Sequence, residues 1–551
     1  MDKIPKYIFN LMAMRPLKYA RRIYSFLSNL QFYHMKKSKI FLTVAALFVS
    51  ASVSFSEIKM PRIFGDHMMV QREEPVNVWG MADAGAKVEV DFAGQKVSTK
   101  AGADGRWYAR LKPMKASAQP RTMKIFENGK ESKTIEDVLV GEVWIAGGQS
   151  NMAFGLNGME DAKSVVEKAD LVKVRYFNQP KNNPQPVPQF DTADDSKWHV
   201  CSAQNAGGMS AVAYTFAQRL ALALDVPVGI VQTAVSGTPM RSWIPIEEFE
   251  DNPLFGDSYK NYQARLKKWD YEAELKKWNE FVRTYPERVE KAKAEGKEPP
   301  PQWTISDTLK PWKDSPDGFR KPSNLYNGRI APLVNFTARG IIWYQGENDN
   351  LRTGFKDQFK GLIEIWRKLW RKPDMPFLFV QLPSWTCVNW EYMRWDQFRT
   401  CKELKNVGMA VAIDTGLEDD VHPLDKLPFI ERLSKIALRD VYGKKDALGY
   451  GPLFKSAKIS GDRAKVDFYM FGKKLVVKGE PRGFEVLLAD GKWVPAVAKQ
   501  SGNSILVKSA NPDDKKIAGV RYLWKDWARP NVCIYNDADI PAPGFTTEDL
   551  K

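Results

Sequence analysis

Gly141–Leu156 reads GEVWIAGGQSNMAFGL. The apolar run Val143–Ala146 stops at Gly147-Gly148, and Ser150 follows directly, between Gln149 and Asn151. That order predicts a buried strand, a tight turn and a serine at the mouth of a helix. Such a turn lifts a hydroxyl to the edge of a sheet, where backbone N–H groups point at it. On this reading Ser150 is the candidate nucleophile. The competing reading makes it merely the N-cap of the helix that follows.

Outward from this strand, the chain from Gly141 to about Gly443 alternates apolar runs with helical stretches. The runs are Val143–Ala146, Val172–Phe177, Val228–Thr233, Gly340–Tyr344, Pro376–Gln381 and Gly408–Ile413. They are nearly continuous in apolar residues, as strands covered on both faces are. Ala211–Leu224, preceded by Ser210, and Phe355–Leu369 have helical amphipathic spacing. The alternation predicts an α/β domain over 141–445 built on a doubly wound parallel sheet. Within it, the highly charged Tyr259–Lys297 predicts a helical hairpin broken near Pro286, an insertion of about 257–300 laid across the domain. On either side, 57–140 and 446–551 consist of short alternating segments between glycine-rich turns. They are read as an N-terminal and a C-terminal β domain of sandwich-like kind.

Residues 1–56 hold nine Lys/Arg and one acid, half of the chain's formal net charge of +16. The apolar run Ile40–Val49 follows Lys36, Lys37 and Lys39, and Ser54 and Ser56 have signal-peptidase spacing before Glu57. This is the pattern of a leader and signal peptide, too short for a membrane span. It predicts a periplasmic or extracellular protein with no stable membrane insertion after cleavage. The rest of the charge is spread without a basic block, so nucleic acid is not an expected partner. Cys201, Cys387, Cys401 and Cys533 are scattered and lack metal-site spacing. No metal or cofactor is expected, and Cys387 and Cys401 are the nearest candidates for a disulfide.

Ligands of open parallel sheets bind beyond the carboxyl ends of the strands. Besides Ser150, those positions hold Gly237, the run Gln345–Asp349, and the loop Asp414–His422. A serine needs a base to react near neutral pH, and histidine suits the task because its unperturbed pKa is about 6.5. Of the histidines His34, His67, His199 and His422, only the last follows a parallel strand, beside acids and before Pro423. His422 is the base by elimination. Asp419, three residues before it, is the preferred orienting acid, with Asp420 and Glu347 as alternatives. The N–H groups of Ser150 and Gly237 and the side-chain amide of Asn348 are the candidate oxyanion donors.

These residues resemble the blocks of the SGNH (GDSL-like) hydrolase superfamily: Ser150 in GGQSNM, Gly237 in VSGTP, Gly346-Glu347-Asn348-Asp349, and Asp419-Asp420-Val421-His422. GEVWIAGGQSNM, LYNGRIAPL (Leu325–Leu333), IIWYQGEND (Ile341–Asp349) and DDVHP (Asp419–Pro423) are similar, more narrowly, to the sialate O-acetylesterase family. MMVQR (Met68–Arg72), DGRWYARL (Asp104–Leu111) and RYLWKDWARPNVCIYND (Arg521–Asp537) extend the likeness into the flanking β regions. Ser236 departs from the second small residue expected beside Gly237. The resemblance implies a flavodoxin-like, three-layer α/β/α domain and a metal-independent carbohydrate O-acetylesterase. Its implied substrate is an O-acetyl group of sialic acid, typically at the 9-position, and its implied catalytic residues are Ser150, His422 and Asp419. Gln149, Asn151, Gln345, Glu347 and Trp243 are the expected sugar contacts. Three alternatives stay open: an esterase of acetylated plant polysaccharide such as xylan, a lipid esterase on the same fold, and a non-catalytic carbohydrate-binding protein.

Overall fold

The computed structural model describes Ile58–Glu548, except residues 306–309, 312–314, 316–317, 351–352 and 515. The leader and signal-peptide expectation for 1–56 lies outside the described residues.

The N-terminal region contains β1 (Met69–Gln71), β2 (Val76–Met81), β3 (Lys87–Phe92), β4 (Gln95–Lys100), β5 (Arg106–Leu111) and β6 (Ser117–Glu127). β2 pairs with β5, and β3 pairs with both β4 and β6, all antiparallel. The next strand, β7, runs from Lys130 to Gly148 and has two characters. Its first half is partly exposed and pairs antiparallel with β6. From Val138 to Gly148 every residue is buried, and the strand becomes the middle of a parallel sheet. A strand covered on both faces needs such an unbroken apolar run. The expected boundary at 140/141 therefore falls inside one continuous strand.

The parallel sheet continues with β8 (Val174–Asn178), β10 (Val228–Gln232), β11 (Gly340–Tyr344), β12 (Phe377–Val380) and β13 (Val407–Ala410), while β9 (Lys197–Val200) closes one edge antiparallel to β8. The order is β13-β12-β11-β7-β10-β8-β9. After β7 the chain first builds to one side, through β8 and β10, and then to the other, through β11, β12 and β13. The carboxyl end of β7 is thus the point where strand order reverses, where open α/β sheets bind ligands.

Helices α1 (Ser150–Ala153) and α2 (Ala211–Leu224) follow β7 and β9. Ser210 caps α2, its Oγ accepting the Ala213 N–H at 3.0 Å. The insertion forms three helices, α3 (Pro253–Lys267), α4 (Tyr271–Arg283) and α5 (Tyr285–Ala294). The expected break near Pro286 is found: α4 ends at Arg283 and α5 begins at Tyr285, with Pro286 in its first turn, where proline is tolerated. Of the three helices only α3 buries a side chain, Phe255, against Gly361. In α4 the apolar stripe Tyr271, Leu275, Trp278 and Val282 is half-buried, and neither α4 nor α5 buries a side chain fully. Helices α6 (Phe355–Trp370), α7 (Trp390–Glu403) and α8 (Leu427–Asp440) follow, and short helical turns at Ala162–Val166 and Glu247–Asp251 lie between the longer helices. Trp144 meets Phe216 of α2 on one face of the sheet, and Trp343 meets Trp366 of α6 on the other.

The C-terminal region is β-rich. Strands β14 (Leu453–Ser460), β15 (Arg463–Tyr469), β16 (Leu475–Val477), β17 (Phe484–Leu488), β18 (Trp493–Ser501), β19 (Ser504–Ser509), β20 (Ile517–Tyr522), β21 (Ile534–Asn536) and β22 (Phe545–Thr546) follow in order. Seven form the antiparallel sheet β14-β15-β19-β18-β17-β20-β22, and β16 pairs with β21. The four cysteines are free. Among the described residues, no helix is long and apolar enough to cross a membrane.

Candidate active site

The turn after β7 is built around glycine. Gly148 has φ +134°, and a Cβ there would lie 2.1 Å from the Tyr344 carbonyl oxygen of neighbouring β11. Only glycine allows that approach. The chain then enters α1, with Gln149 as N-cap and Ser150 as the first helical residue. No side chain caps this helix, and Ser150 Oγ makes no hydrogen bond among the described residues. The N-cap reading of Ser150 is thereby excluded. Its hydroxyl stands partly exposed at the edge of the sheet. Ser210 braces α1 from behind, donating from Oγ to the Met152 carbonyl at 2.6 Å.

His422 arrives on the loop after β13. Asn151, beside Ser150, donates from Nδ2 to the carbonyl of Val421, beside His422, at 2.9 Å. Phe154, one turn further along, stacks on the His422 imidazole with ring centroids 6.4 Å apart. The serine and histidine segments are therefore held together, although no hydrogen bond joins their side chains. Such contacts commonly tighten only around substrate.

The carboxylate on His422 belongs to Asp420, not to the preferred Asp419. Asp420 Oδ1 lies 3.1 Å from Nδ1 and accepts the His422 backbone N–H at 2.8 Å. An aspartate that accepts an N–H two residues on folds its carboxylate back over that residue. This turn brings Asp420 to the ring. Glu347, the other alternative, is engaged elsewhere: its Oε1 accepts from Asn151 Nδ2 at 2.7 Å.

The two candidate oxyanion donors from neighbouring loops meet each other. Asn348 is exposed and donates from Nδ2 to the Gly237 carbonyl at 2.9 Å. Gly237 has φ +68°, and the Arg320 guanidinium would crowd any Cβ there. Its N–H is bonded to no acceptor among the described residues. Behind them, Asp349 accepts the Met240 N–H at 3.0 Å and a bond from Gln345 Nε2, tying the two loops together. Burial pushes the Asp349 carboxyl up to about 6, against those hydrogen bonds and the nearby charge of Arg241.

The expected sugar contacts are corrected. Trp243 is fully buried, edge-on to Trp343, with Nε1 donating to Thr238 Oγ1 at 3.1 Å. Gln345 is fully buried and donates to the Thr238 carbonyl at 3.1 Å. Gln149 is buried, with Oε1 accepting the Asn348 N–H at 3.2 Å. Asn151 is fully buried, and Glu347 keeps its carboxylate Oε2 out of solvent. These polar side chains hydrogen-bond beneath the site, although Gln345 Oε1 and Glu347 Oε2 are left without a partner. Of the residues at the strand ends, Ser236 and Asn348 are exposed, and Ser150, Gly237, Phe154, Trp385 and His422 are partly exposed.

Residues not singled out from sequence complete the site. Lys426, the N-cap residue of α8, is fully buried and donates to Asn151 Oδ1 at 2.7 Å. From the C-terminal region, Arg529 reaches the loop carrying His422, donating to the Gly416 carbonyl and pairing with Asp425 at 2.9 Å. Neither belongs to a periodic pattern. The only sequence signal for Lys426 is its place four residues after His422.

A family model described as "Carbohydrate esterase, sialic acid-specific acetylesterase" matches residues 140–295 and 307–426, half of the chain. The sialate O-acetylesterase of Rattus norvegicus is 27% identical over 87% of this chain and 93% of its own length. That of Mus musculus is 27% identical over 92% and 97%, and that of Homo sapiens 26% identical over 87% and 90%. Among solved structures, a carbohydrate acetylesterase from Xanthomonas citri superposes with a TM-score of 0.73 at 28% identity, covering 90% of this chain and all of that one.

Proposed function

Given that this chain belongs to the sialic acid-specific acetylesterase family of carbohydrate esterases, we propose that Ser150 and His422 hydrolyse an O-acetyl ester of sialic acid. The chain is a carbohydrate O-acetylesterase, a carboxylic-ester hydrolase. Its substrate class is an acetylated carbohydrate, and the 9-O-acetyl group of sialic acid is the ester we assign to it.

Ser150 Oγ attacks the acetyl carbonyl carbon while His422 Nε2 takes the hydroxyl proton. The negative charge that develops on the carbonyl oxygen is met by the N–H groups of Ser150 and Gly237 and by the Asn348 amide. The C–O bond to the sugar then breaks, and the imidazolium returns its proton to the sugar oxygen. Water, deprotonated by His422, then attacks the acetyl-serine; the C–O bond to Ser150 breaks, acetate leaves, and the imidazolium returns its proton to Ser150 Oγ. Asp420 holds Nδ1 protonated, so that Nε2 faces the serine. The observation that carries this reading is the Asn151–Val421 hydrogen bond at 2.9 Å, which joins the two catalytic segments at the carboxyl edge of the sheet.

The same reading takes the α/β part as an SGNH-type three-layer domain between two β regions, and the protein as exported. The inner five parallel strands, β10-β7-β11-β12-β13, run 2-1-3-4-5 among themselves, with β8 and β9 added beyond β10, and this supports the flavodoxin-like assignment.

The test is acetate release from 9-O-acetylated sialic acid and from acetylated xylan, with the wild type and Ser150→Ala. The expected result is preference for the sialic acid ester and a loss of about 10⁴-fold or more in the variant. Equal or better turnover of xylan would overturn the substrate, and an active Ser150→Ala would overturn the mechanism.

A further inference from the structure

Beneath the nucleophile lies a buried polar node that hydrolysis does not itself require. The Lys426 ammonium donates to Asn151 Oδ1 at 2.7 Å. With its oxygen occupied, the Asn151 amide must turn its nitrogen the other way. There Nδ2 donates to Glu347 Oε1 at 2.7 Å and to the Val421 carbonyl at 2.9 Å. One amide thus connects the segment of Ser150, the segment of Asn348 and the segment of His422. On its other sides the ammonium lies 4.5 Å from the centre of the Phe154 ring, and 5.8 and 5.9 Å from those of Tyr344 and Phe429. Phe154 in turn stacks on the His422 imidazole. A desolvated lysine is expensive to maintain unless something depends on it.

We propose that Lys426 is a positioning residue: by fixing the orientation of the Asn151 amide, it sets Ser150, Asn348 and His422 in mutual register. This rests on the reading of Ser150 and His422 as the catalytic pair.

The charged groups around the ammonium are Glu347 from the loop after β11, and Asp425 and Asp420 from its own loop. Burial pushes Lys426 down to about 7, and these carboxylates oppose that shift. Burial likewise raises Glu347, one of whose oxygens has no hydrogen-bond partner. When Lys426 loses its proton, its charge-assisted hydrogen bond to Asn151 Oδ1 becomes a weaker neutral one, and the node loosens. The register should then fail on the alkaline side.

The experiment measures kcat and KM from pH 5.5 to 9.5 on a soluble acetylated sialic acid, for the wild type, Lys426→Met, Lys426→Arg and Glu347→Gln. Circular dichroism and melting curves establish that each variant is folded. The wild type should show a fall in kcat on the alkaline side. Lys426→Met should lower kcat at least tenfold with KM within threefold, and its residual activity should lack that fall. Lys426→Arg should recover part of kcat and move the fall to higher pH. Glu347→Gln removes a carboxylate that favours the charged lysine, so its fall should begin at lower pH. A Glu347→Gln profile superimposable on the wild type, or a Lys426→Met enzyme with wild-type kcat and profile, would overturn the proposal. If Lys426→Met does not fold, the Glu347→Gln profile decides the matter. Activity remaining in Ser150→Ala would instead overturn the catalytic reading beneath it.

Discussion

Strand β7 passes a buried charge cluster near each end of its parallel half, and the two are built in opposite ways. At the amino end Glu142 is fully buried, with both oxygens occupied. Oε1 accepts from Arg72 Nε at 2.5 Å and from Arg339 Nη2 at 3.2 Å. Oε2 accepts from Arg339 Nε at 2.9 Å, Tyr442 at 3.0 Å and Gln71 at 3.1 Å. Burial pushes this carboxyl up, but hydrogen bonds and the charge of Arg339, with Arg72 and Gln71, hold it below its ordinary value. At the carboxyl end Lys426 and Glu347 are displaced the other way, each toward neutrality, and Glu347 keeps an unpartnered oxygen. The first cluster joins the N-terminal region to the sheet and is electrostatically complete. The second lies under the reacting groups and is not. A satisfied buried cluster supports structure, whereas a strained one at a strand end marks where chemistry is done.

The largest effect that separates the two is on stability. Glu142→Met removes the buried carboxylate that Arg72 and Arg339, both mostly buried, share, and leaves them only the more exposed Glu73 and Glu74. It should cost about 3–5 kcal/mol in urea unfolding, while kcat per folded molecule stays within about twofold because the sites are distant. The folded-state carboxyl of Glu142 lies below its unfolded range. Its contribution is therefore complete above the unfolded pKa and is lost as pH falls through the folded value. Acid unfolding of the wild type should accordingly be steeper than that of the variant. A large fall in kcat with unchanged stability would break the distinction between the two ends.

The next effect is at the histidine. Asp420→Asn should lower kcat about 10²-fold, less than a buried triad acid would, since Asp420 is half exposed. Asp419→Asn should stay within about threefold of wild type, as expected for a surface charge. The opposite ranking would restore Asp419 as the orienting acid.

The smallest effect sharpens the comparison across regions. The pair Arg529–Asp425 is partly exposed and worth about 0–1 kcal/mol. Arg529→Met should cost kcat about two- to fivefold, with KM little changed, if the C-terminal β region steadies the loop of His422. Unaltered kinetics would leave that contact as packing alone.

Much of this was legible in the residues, for definite reasons. Parallel strands covered on both faces leave unbroken apolar runs, so Gly340–Tyr344 is found as expected, to the residue. Ala211–Leu224 is bounded as expected because Ser210 caps one end and left-handed Asp225 closes the other. The join at Gly141 was not legible. That glycine looked like the start of a domain, but it admits the Pro227 carbonyl, 2.1 Å from where its Cβ would stand. Strand-end side-chain direction was equally hidden. Trp243 and Gln345 have the chemistry of sugar contacts, yet both are fully buried. The choice of Asp420 over Asp419 depends on one turn's hydrogen bond, and Lys426 on a contact between residues 275 positions apart.

The most direct test of the account is to react the enzyme with a serine-directed fluorophosphonate and map the modified peptide by mass spectrometry. The account predicts one adduct, on Ser150 in GGQSNM, forming in step with loss of acetate release and slowed sharply in His422→Ala. A fully inhibited enzyme labelled at another residue, or one labelled at Ser150 that still releases acetate, would contradict it.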